Sequence, residues 1–326
     1  MTNGNFSGSL FLLILYLHPH LSNRMNTLIV VLGPTGVGKS DVSIQLAKHF
    51  HSEIISADSR QFFKELQIGT AVPPQSDLQS VTHHFIQNKS IHDYYNVSSF
   101  EVEALELIEQ LFHSINPVIL TGGSMLYLDT LCNGIDDIPT VDLATRKDVV
   151  DWFHENGLEA LRRRLEELDP EYYSVVDQNN PKRMLHAVEI HQMTGRTFSS
   201  FRTNTRKERP FQIIKIGINI ERSALYDRIN RRVLKMIDEG LVEEARSVYP
   251  FRTLNSLNTV GYKELFDYFD GKLSLEEAID LIQRNTRKYA RKQLTWFRRD
   301  NQIEWFQPEQ ISEIIRYIED KMSSDG

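Results

Sequence analysis

The chain alternates two kinds of hydrophobic pattern. Thr27 to Leu32 is an apolar, β-branched run without polar interruption, as a strand buried on both faces of a parallel sheet requires. Glu53 to Ser56 and Pro117 to Thr121 have the same character, and the isoleucine-rich stretch Phe211 to Ile220 adds a further strand. Between them lie helical stretches, roughly Ser40 to His51, Ser99 to Ile115 and Ala224 to Val248. Alternating strands and helices predict an α/β fold: a parallel sheet flanked by helices on both faces.

From about Thr140 to Arg209 the strand pattern stops. Leu143 to Leu168 is helical and heavily charged. Asn180 caps a further helix, with Pro181 at its first position and Gly195 just past its end. Met184, Leu185, Val188 and Gln192 fall along one face of it. This region is predicted to be a small inserted helical domain, with Arg202 to Arg209 as its return linker. The domains are then 25–139 (first part of the core), 140–209 (insertion) and 210–326 (second part of the core). Near the end, Ser274 and Glu277 form a capping box before an amphipathic helix reaching about Arg299, roughly 37 Å long.

Composition changes this picture little. Of 326 residues, 40% are apolar and 25% charged, which excludes a disordered or fibrous chain. The net charge of −7 does not point to nucleic acid as a partner. One cysteine, Cys132, cannot form an internal disulfide, which fits a reducing cytoplasm. The apolar run Leu10 to Leu17 is too short to span a bilayer. It follows no basic start and precedes no small-residue cleavage site. Met25, directly before the first strand, is the expected biological start, leaving residues 1–24 as a start-site artefact or disordered tail.

Candidate chemistry gathers at the ends of the predicted strands. Gly33-Pro34-Thr35-Gly36-Val37-Gly38-Lys39-Ser40 fits G-x-x-x-x-G-K-[ST] between a strand and a helix. Its backbone N–H groups and the helix dipole cradle phosphate oxygens, Lys39 neutralises their charge, and the Ser40 hydroxyl can ligate Mg²⁺. The loop implies a bound di- or triphosphate without saying which. Ser56-Ala57-Asp58-Ser59-Arg60-Gln61 ends the second strand, where ligands sit in such sheets. Its carboxylate, Asp58, accepts a proton, holds a metal or merely caps the next helix. Gly122-Gly123-Ser124 ends the third strand as a close-approach loop or a plain turn. His83 and His84, adjacent in a strand, point to opposite faces, so a single ion does not engage both.

The last helix carries a local basic excess. From Arg284 to Arg299 seven Arg and Lys residues fall in 16 positions without one acid. Residues 284, 287, 288, 291 and 292 form one stripe, and Ala290, Leu294 and Phe297 an apolar face. Tyr289, Thr295 and Trp296 interleave with the charges. The stripe is either a solvated face or a surface for phosphate contacts with base stacking.

GPTGVGKS (33–40), SADSRQ (56–61), GGSMLY (122–127), NPKRMLHAVEI (180–190), NTVGYKEL (258–265) and TRKYARKQLTWFR (286–298) together resemble the tRNA dimethylallyltransferase family of bacterial type. The resemblance implies a P-loop NTPase-like fold and a cytoplasmic, monomeric enzyme without a membrane segment. It implies transfer of a dimethylallyl group from dimethylallyl diphosphate to the exocyclic amine of the adenine 3′ of the anticodon, with Mg²⁺. Asp58 is then the general base, Thr35 lies by the bridging oxygen and Arg232 reaches the diphosphate. Contacts to tRNA carry over to Asp58, Ser59, Arg60, Gln61, Ser124 and Arg146. They carry over as well to Lys182, Arg183, Met184, Leu185 and His186, to Asn258, Thr259, Val260, Gly261, Tyr262 and Lys263, and to Arg291, Lys292, Gln293, Thr295, Trp296 and Arg298. Two positions depart from the family pattern. Ser124 stands for a usual threonine, and His186 for a frequent arginine, which leaves it open as a packed helix residue. The alternatives are an adenylate isopentenyltransferase, a phosphate-loop kinase and a nucleotide-switch RNA-binding protein.

Overall fold

Thr27–Leu32 (β1) runs through the middle of the sheet, as its unbroken apolar run demands. The computed structural model describes residues 25–203 and 205–324, so the reading of residues 1–24 lies outside the described residues. After β1 come Lys39–Phe50 (α1), Ile54–Ser56 (β2), Gln75–Ser80 (α2), His83–His84 (β3), Val97–Leu111 (α3), Val118–Gly122 (β4) and Met125–Asn133 (α4). Leu143–Leu168 (α5), Pro170–Val175 (α6) and Pro181–Thr194 (α7) follow without a strand among them. The chain closes with Gln212–Ile218 (β5), Arg222–Asp238 (α8), Leu241–Val248 (α9), Tyr262–Phe269 (α10), Leu275–Phe297 (α11), Ile303–Phe306 (β6) and Ile311–Ser324 (α12).

The six strands lie in the order β3-β2-β4-β1-β5-β6, and every pairing is parallel. Leu32 pairs with Gly122 on one side and Gly217 on the other, so β1, β4 and β5 end together. Side chains of β1 divide between two cores. Leu28, Val30 and Leu32 pack with Phe62 and Phe100 on one face. Ile29 and Val31 pack with Val42, Ile216 and Ile229 on the other. A third core, around Tyr262, Phe63, Leu66 and Leu265, joins α8 to α11. No described helix is long and apolar enough to cross a membrane.

Contacts divide the chain into two units. One comprises the stretches up to Cys132 and from Arg209, and the other is Asn133–Glu208. The second has its own core, in which Val149, Leu161, Leu165, Met184, Val188 and Ile190 are buried. Asn180 caps α7 by accepting from Arg183 N–H, and Gly195 closes it at φ 71°. Gln192, on the same face by spacing, is instead exposed and accepts from Arg164.

Two expectations need correction. The single helix expected over Ala224 to Val248 is two, because Gly240 takes φ 103° and starts α9. Arg209, expected as the last residue of the return linker, belongs to the first unit: its guanidinium is buried against Glu101 at 2.5 Å and the carbonyls of Thr130 and Leu131 at 2.9 and 2.8 Å.

Candidate active site

Three strand ends bring the chemistry together at the carboxyl edge of the sheet. Residues 33–38 turn from β1 into α1, residues 57–61 follow β2, and Gly123-Ser124 follow β4. Gly33 leaves β1 at φ 151°, and a Cβ there would lie 2.3 Å from the Ile218 carbonyl oxygen, so no side chain fits. Gly38, at φ 107°, opens α1 and leaves Ser40 exposed on its first turn. The loop thus ends at the positive N-terminal end of α1, as phosphate binding needs.

Cations surround this loop. Lys39 donates to the Pro34 carbonyl at 2.9 Å. Burial pushes its ammonium down to about 8, with Asp58 opposing the shift and Arg232 adding to it. Arg232, on α8, reaches the Thr35 hydroxyl at 3.4 Å, and burial lowers its guanidinium while Asp58 raises it. Arg228, one turn earlier, donates to the Val37 carbonyl at 3.1 Å. Sequence reasoning missed Arg228, although its i, i+4 spacing from Arg232 puts both on one helix face.

Asp58 lies within this field. Its carboxylate accepts the Arg60 N–H at 3.0 Å, a local cap that occupies one oxygen. The charge acts on Lys39, Arg232 and Arg60, and also on the phenols of Tyr127 and Tyr289. Burial raises both phenols, Tyr289 to about 12, so they are neutral donors at physiological pH. Tyr289 shares a hydrogen bond with Ser124. The Ser124 hydroxyl in turn accepts the Ser59 N–H at 2.8 Å and donates to the Ser59 hydroxyl at 3.1 Å. The hydroxyl at position 124 therefore joins the β2 and β4 loops to α11. Tyr289, read from the sequence as a stacking residue among the charges of the last helix, and Tyr127, the last residue of the GGSMLY motif, were not expected to face Asp58.

Several residues expected to touch RNA are internal. Gln293 is 1% exposed; its side chain accepts the Thr35 N–H at 2.8 Å and donates to the Gly123 carbonyl at 2.7 Å. It bridges the phosphate loop to the β4 loop, because positions 290, 293 and 297 share the inward face of α11. Tyr262 is fully buried, with its hydroxyl on Glu244 at 2.6 Å. Gly261 is buried as the turn that starts α10. Met184 is fully buried in the helical unit's core, and Leu185 packs against it. Arg60 donates to the carbonyls of Asn255, Ser256 and Asn258 at 3.1, 2.9 and 3.4 Å. Gln61 spends its amide on Ser56, Thr70 and Ala71.

Other expected contacts are outward. Asn258 and Lys263 are exposed, and Thr259 and Val260 half-buried. On α11, Arg291, Lys292, Thr295, Trp296 and Arg298 are exposed, whereas Arg287 turns inward to Asn230. Lys288, Arg291, Lys292, Thr295, Trp296 and Arg299 line an open cleft of about 680 Å³ with Met125. In the helical unit, Lys182 and Arg183 are exposed. Arg146 and His186 there flank buried Glu189, at 3.6 and 3.5 Å. His186 also packs edge-on against Phe198 at 5.4 Å, so it is part packed and part exposed.

A parallel α/β sheet with a phosphate loop, ringed by half-buried cations beside one carboxylate, defines an enzyme of the P-loop class, with a loop suited to phosphate. The comparisons make this specific. Residues 61–300 match the family model described as IPP transferase. A tRNA dimethylallyltransferase 1 of Bacteroides thetaiotaomicron is 55% identical over 294 residues, 90% of this chain and 96% of that relative. The tRNA isopentenylpyrophosphate transferase of Bacillus halodurans, known from its crystal structure, shares 35% identity at a TM-score of 0.68, covering 92% of this chain and 97% of that one. A eukaryotic dimethylallyltransferase acting on tRNA gives a TM-score of 0.75 at 25% identity, covering 88% and 75%. The chain belongs to the IPP transferase family.

Proposed function

We propose that this chain transfers a dimethylallyl group from dimethylallyl diphosphate to the exocyclic amine of the adenine 3′ of the tRNA anticodon, giving isopentenyladenosine and pyrophosphate. The observation that carries this reading is the placing of Asp58 between the phosphate loop and the Ser59–Ser124–Tyr289 hydrogen bonds. The adenine lone pair forms the new C–N bond as the allylic C–O bond breaks, and that electron pair leaves on the diphosphate. The amine's surplus proton passes to the Asp58 oxygen that the Arg60 N–H does not occupy. Lys39, Arg232 and the loop N–H groups stabilise the charge that grows on the diphosphate. Thr35, held through its N–H by Gln293 and facing Arg232, has its hydroxyl at the cradle's rim.

Ser40 is the protein oxygen that would hold Mg²⁺ together with the diphosphate. Among the described residues no three His, Cys, Asp or Glu side chains group as metal ligands. A single exposed hydroxyl suits an ion that keeps its waters and binds through substrate phosphates. When bound, Mg²⁺ neutralises part of the leaving group's charge. An adenine reaches such a site only when unstacked. We assign the exposed basic face of α11, Asn258 and Lys263, and Lys182 and Arg183, to the RNA backbone.

Labelled dimethylallyl diphosphate offered with tRNA, AMP or ATP tests the reading. Label is expected in tRNA alone. Prenylated AMP or ATP would make the chain an adenylate isopentenyltransferase, and phosphoryl transfer from ATP would make it a kinase.

A further inference from the structure

One half-buried acid collects donors that no step above uses. Glu244, on α9, accepts the N–H groups of Gln67, Ile68 and Gly69 at 2.9, 2.7 and 2.9 Å. It also accepts the Tyr262 hydroxyl at 2.6 Å. Burial, then the Glu244 charge, raises the Tyr262 phenol, which therefore stays a donor. Hydrogen bonds to an ionised carboxylate are among the strong ones, and three successive amides on one acid fix a segment in a single conformation. Space adds to the constraint, since a Cβ on Gly69 would lie 2.7 Å from the Tyr262 ring and hydroxyl.

What the segment holds is at the site. Ala71 stands in the left-handed region at φ 51°, which persists only where surroundings over-determine it. The carbonyls of Thr70 and Ala71 accept the Gln61 side-chain amide at 3.2 and 3.0 Å. Gln61 accepts the Ser56 hydroxyl at 3.1 Å, and its N–H donates to the Asp58 carbonyl at 3.2 Å. From Glu244 to the turn that carries Asp58, the links are the 67–71 backbone and hydrogen bonds.

We propose that Glu244 is a positioning residue for the transfer reaction. It fixes the 67–71 loop, the loop fixes Gln61, and Gln61 sets the Asp58 turn against the phosphate cradle. The inference rests on Asp58 as the general base. Displacements of about an ångström in such supports cost up to about 100-fold in rate.

The test uses the full chain with dimethylallyl diphosphate and an anticodon stem-loop RNA. Glu244→Gln keeps the shape but replaces one acceptor oxygen with an NH₂ group. It is expected to lower kcat about 10- to 100-fold while both KM values stay within about threefold. Gln61→Ala is expected to lose a similar factor, and the double variant no more than the worse single one, because both act on one path. Losses that multiply, or a Glu244→Gln enzyme within about threefold of wild type, would overturn the inference. Hydrogen exchange on the unmodified protein is independent of how the variants fold. The amides of residues 67–69 are expected to exchange as slowly as the core, and loop-like rates would overturn the inference too. Asp58→Asn, measured alongside, separates the two levels. An active Asp58→Asn enzyme removes the base itself, whereas an inactive one beside a fully active Glu244→Gln removes only Glu244's role.

Discussion

Arg60, Arg228 and Arg232 stand among carbonyls and hydroxyls at the sheet edge, whereas Arg291, Lys292 and Arg298 stand exposed along α11. The two sets share a charge and differ in what surrounds it. At the sheet edge desolvation has already lowered the pKa of Lys39 and Arg232, and each fixed cation meets a particular oxygen. On α11 water screens the charges, so they attract a polyanion without fixing a single atom. The first arrangement suits chemistry on one bond, the second the holding of a long phosphate chain. Gln293 lies in the same helix as the second set and belongs wholly to the first.

The largest expected effect comes from removing the one acid inside the ring of cations. Asp58→Asn keeps an oxygen for the Arg60 N–H, so the turn survives while the base is lost. Turnover should fall about 10²- to 10⁴-fold with tRNA affinity almost unchanged. Single-turnover rates and filter binding on the same preparation check both halves. Turnover within about threefold of wild type would dissolve the distinction between the regions, because the edge would then hold no base.

Much of this edge was legible because strand ends and phosphate loops carry local signals. β1, β4 and β5 are apolar runs, and the α11 capping box spans four adjacent positions. Of the edge strands, β3 was legible only as the His83-His84 pair, and β6 was not legible, because it exposes Glu304 beside half-buried Trp305 and Phe306. At the site, Asp58 and Lys39 could be read from their place after strands. Gln293, Tyr262 and Glu244 could not, because what defines them is a partner far along the chain: Thr35 for the first, Gly69 for the others. Met184 shows the converse error. A motif position was taken for a contact, although its own spacing already placed it on the apolar face of α7.

pH sharpens the comparison by acting on one region alone. Lys39 in the fold sits at about 8, below the ordinary lysine range that the unfolded chain keeps. Between those values the unfolded chain binds more protons, so stability should rise with pH across that window. Diphosphate favours the charged lysine, so its affinity should move the other way, falling up to about tenfold per unit above pH 8. Calorimetric titration with dimethylallyl diphosphate in the absence of RNA, in buffers of different ionisation enthalpy, should show uptake of about one proton there. A flat profile would take Lys39 out of the cradle.

The smallest effect belongs to the outer face and is the one that salt reveals. Replacing Arg291 and Lys292 together with alanine removes two exposed charges beside the Met125–Trp296 cleft and touches nothing at the sheet edge. Each phosphate contact on a single strand contributes about 0.7 to the slope of log affinity against log salt, so two should flatten it by about 1.4. Between 50 and 200 mM salt, wild type should then lose about sevenfold more RNA affinity than the variant. The single-turnover rate at saturating RNA should stay within about twofold, since no buried partner changes. Should the slope remain unchanged, α11 would return to an ordinary solvated face, and the RNA would have to be held by the inserted helical unit or the 258–263 turn. Should the saturated rate fall instead with the slope intact, these two residues would belong with Gln293 among the supports of the phosphate loop.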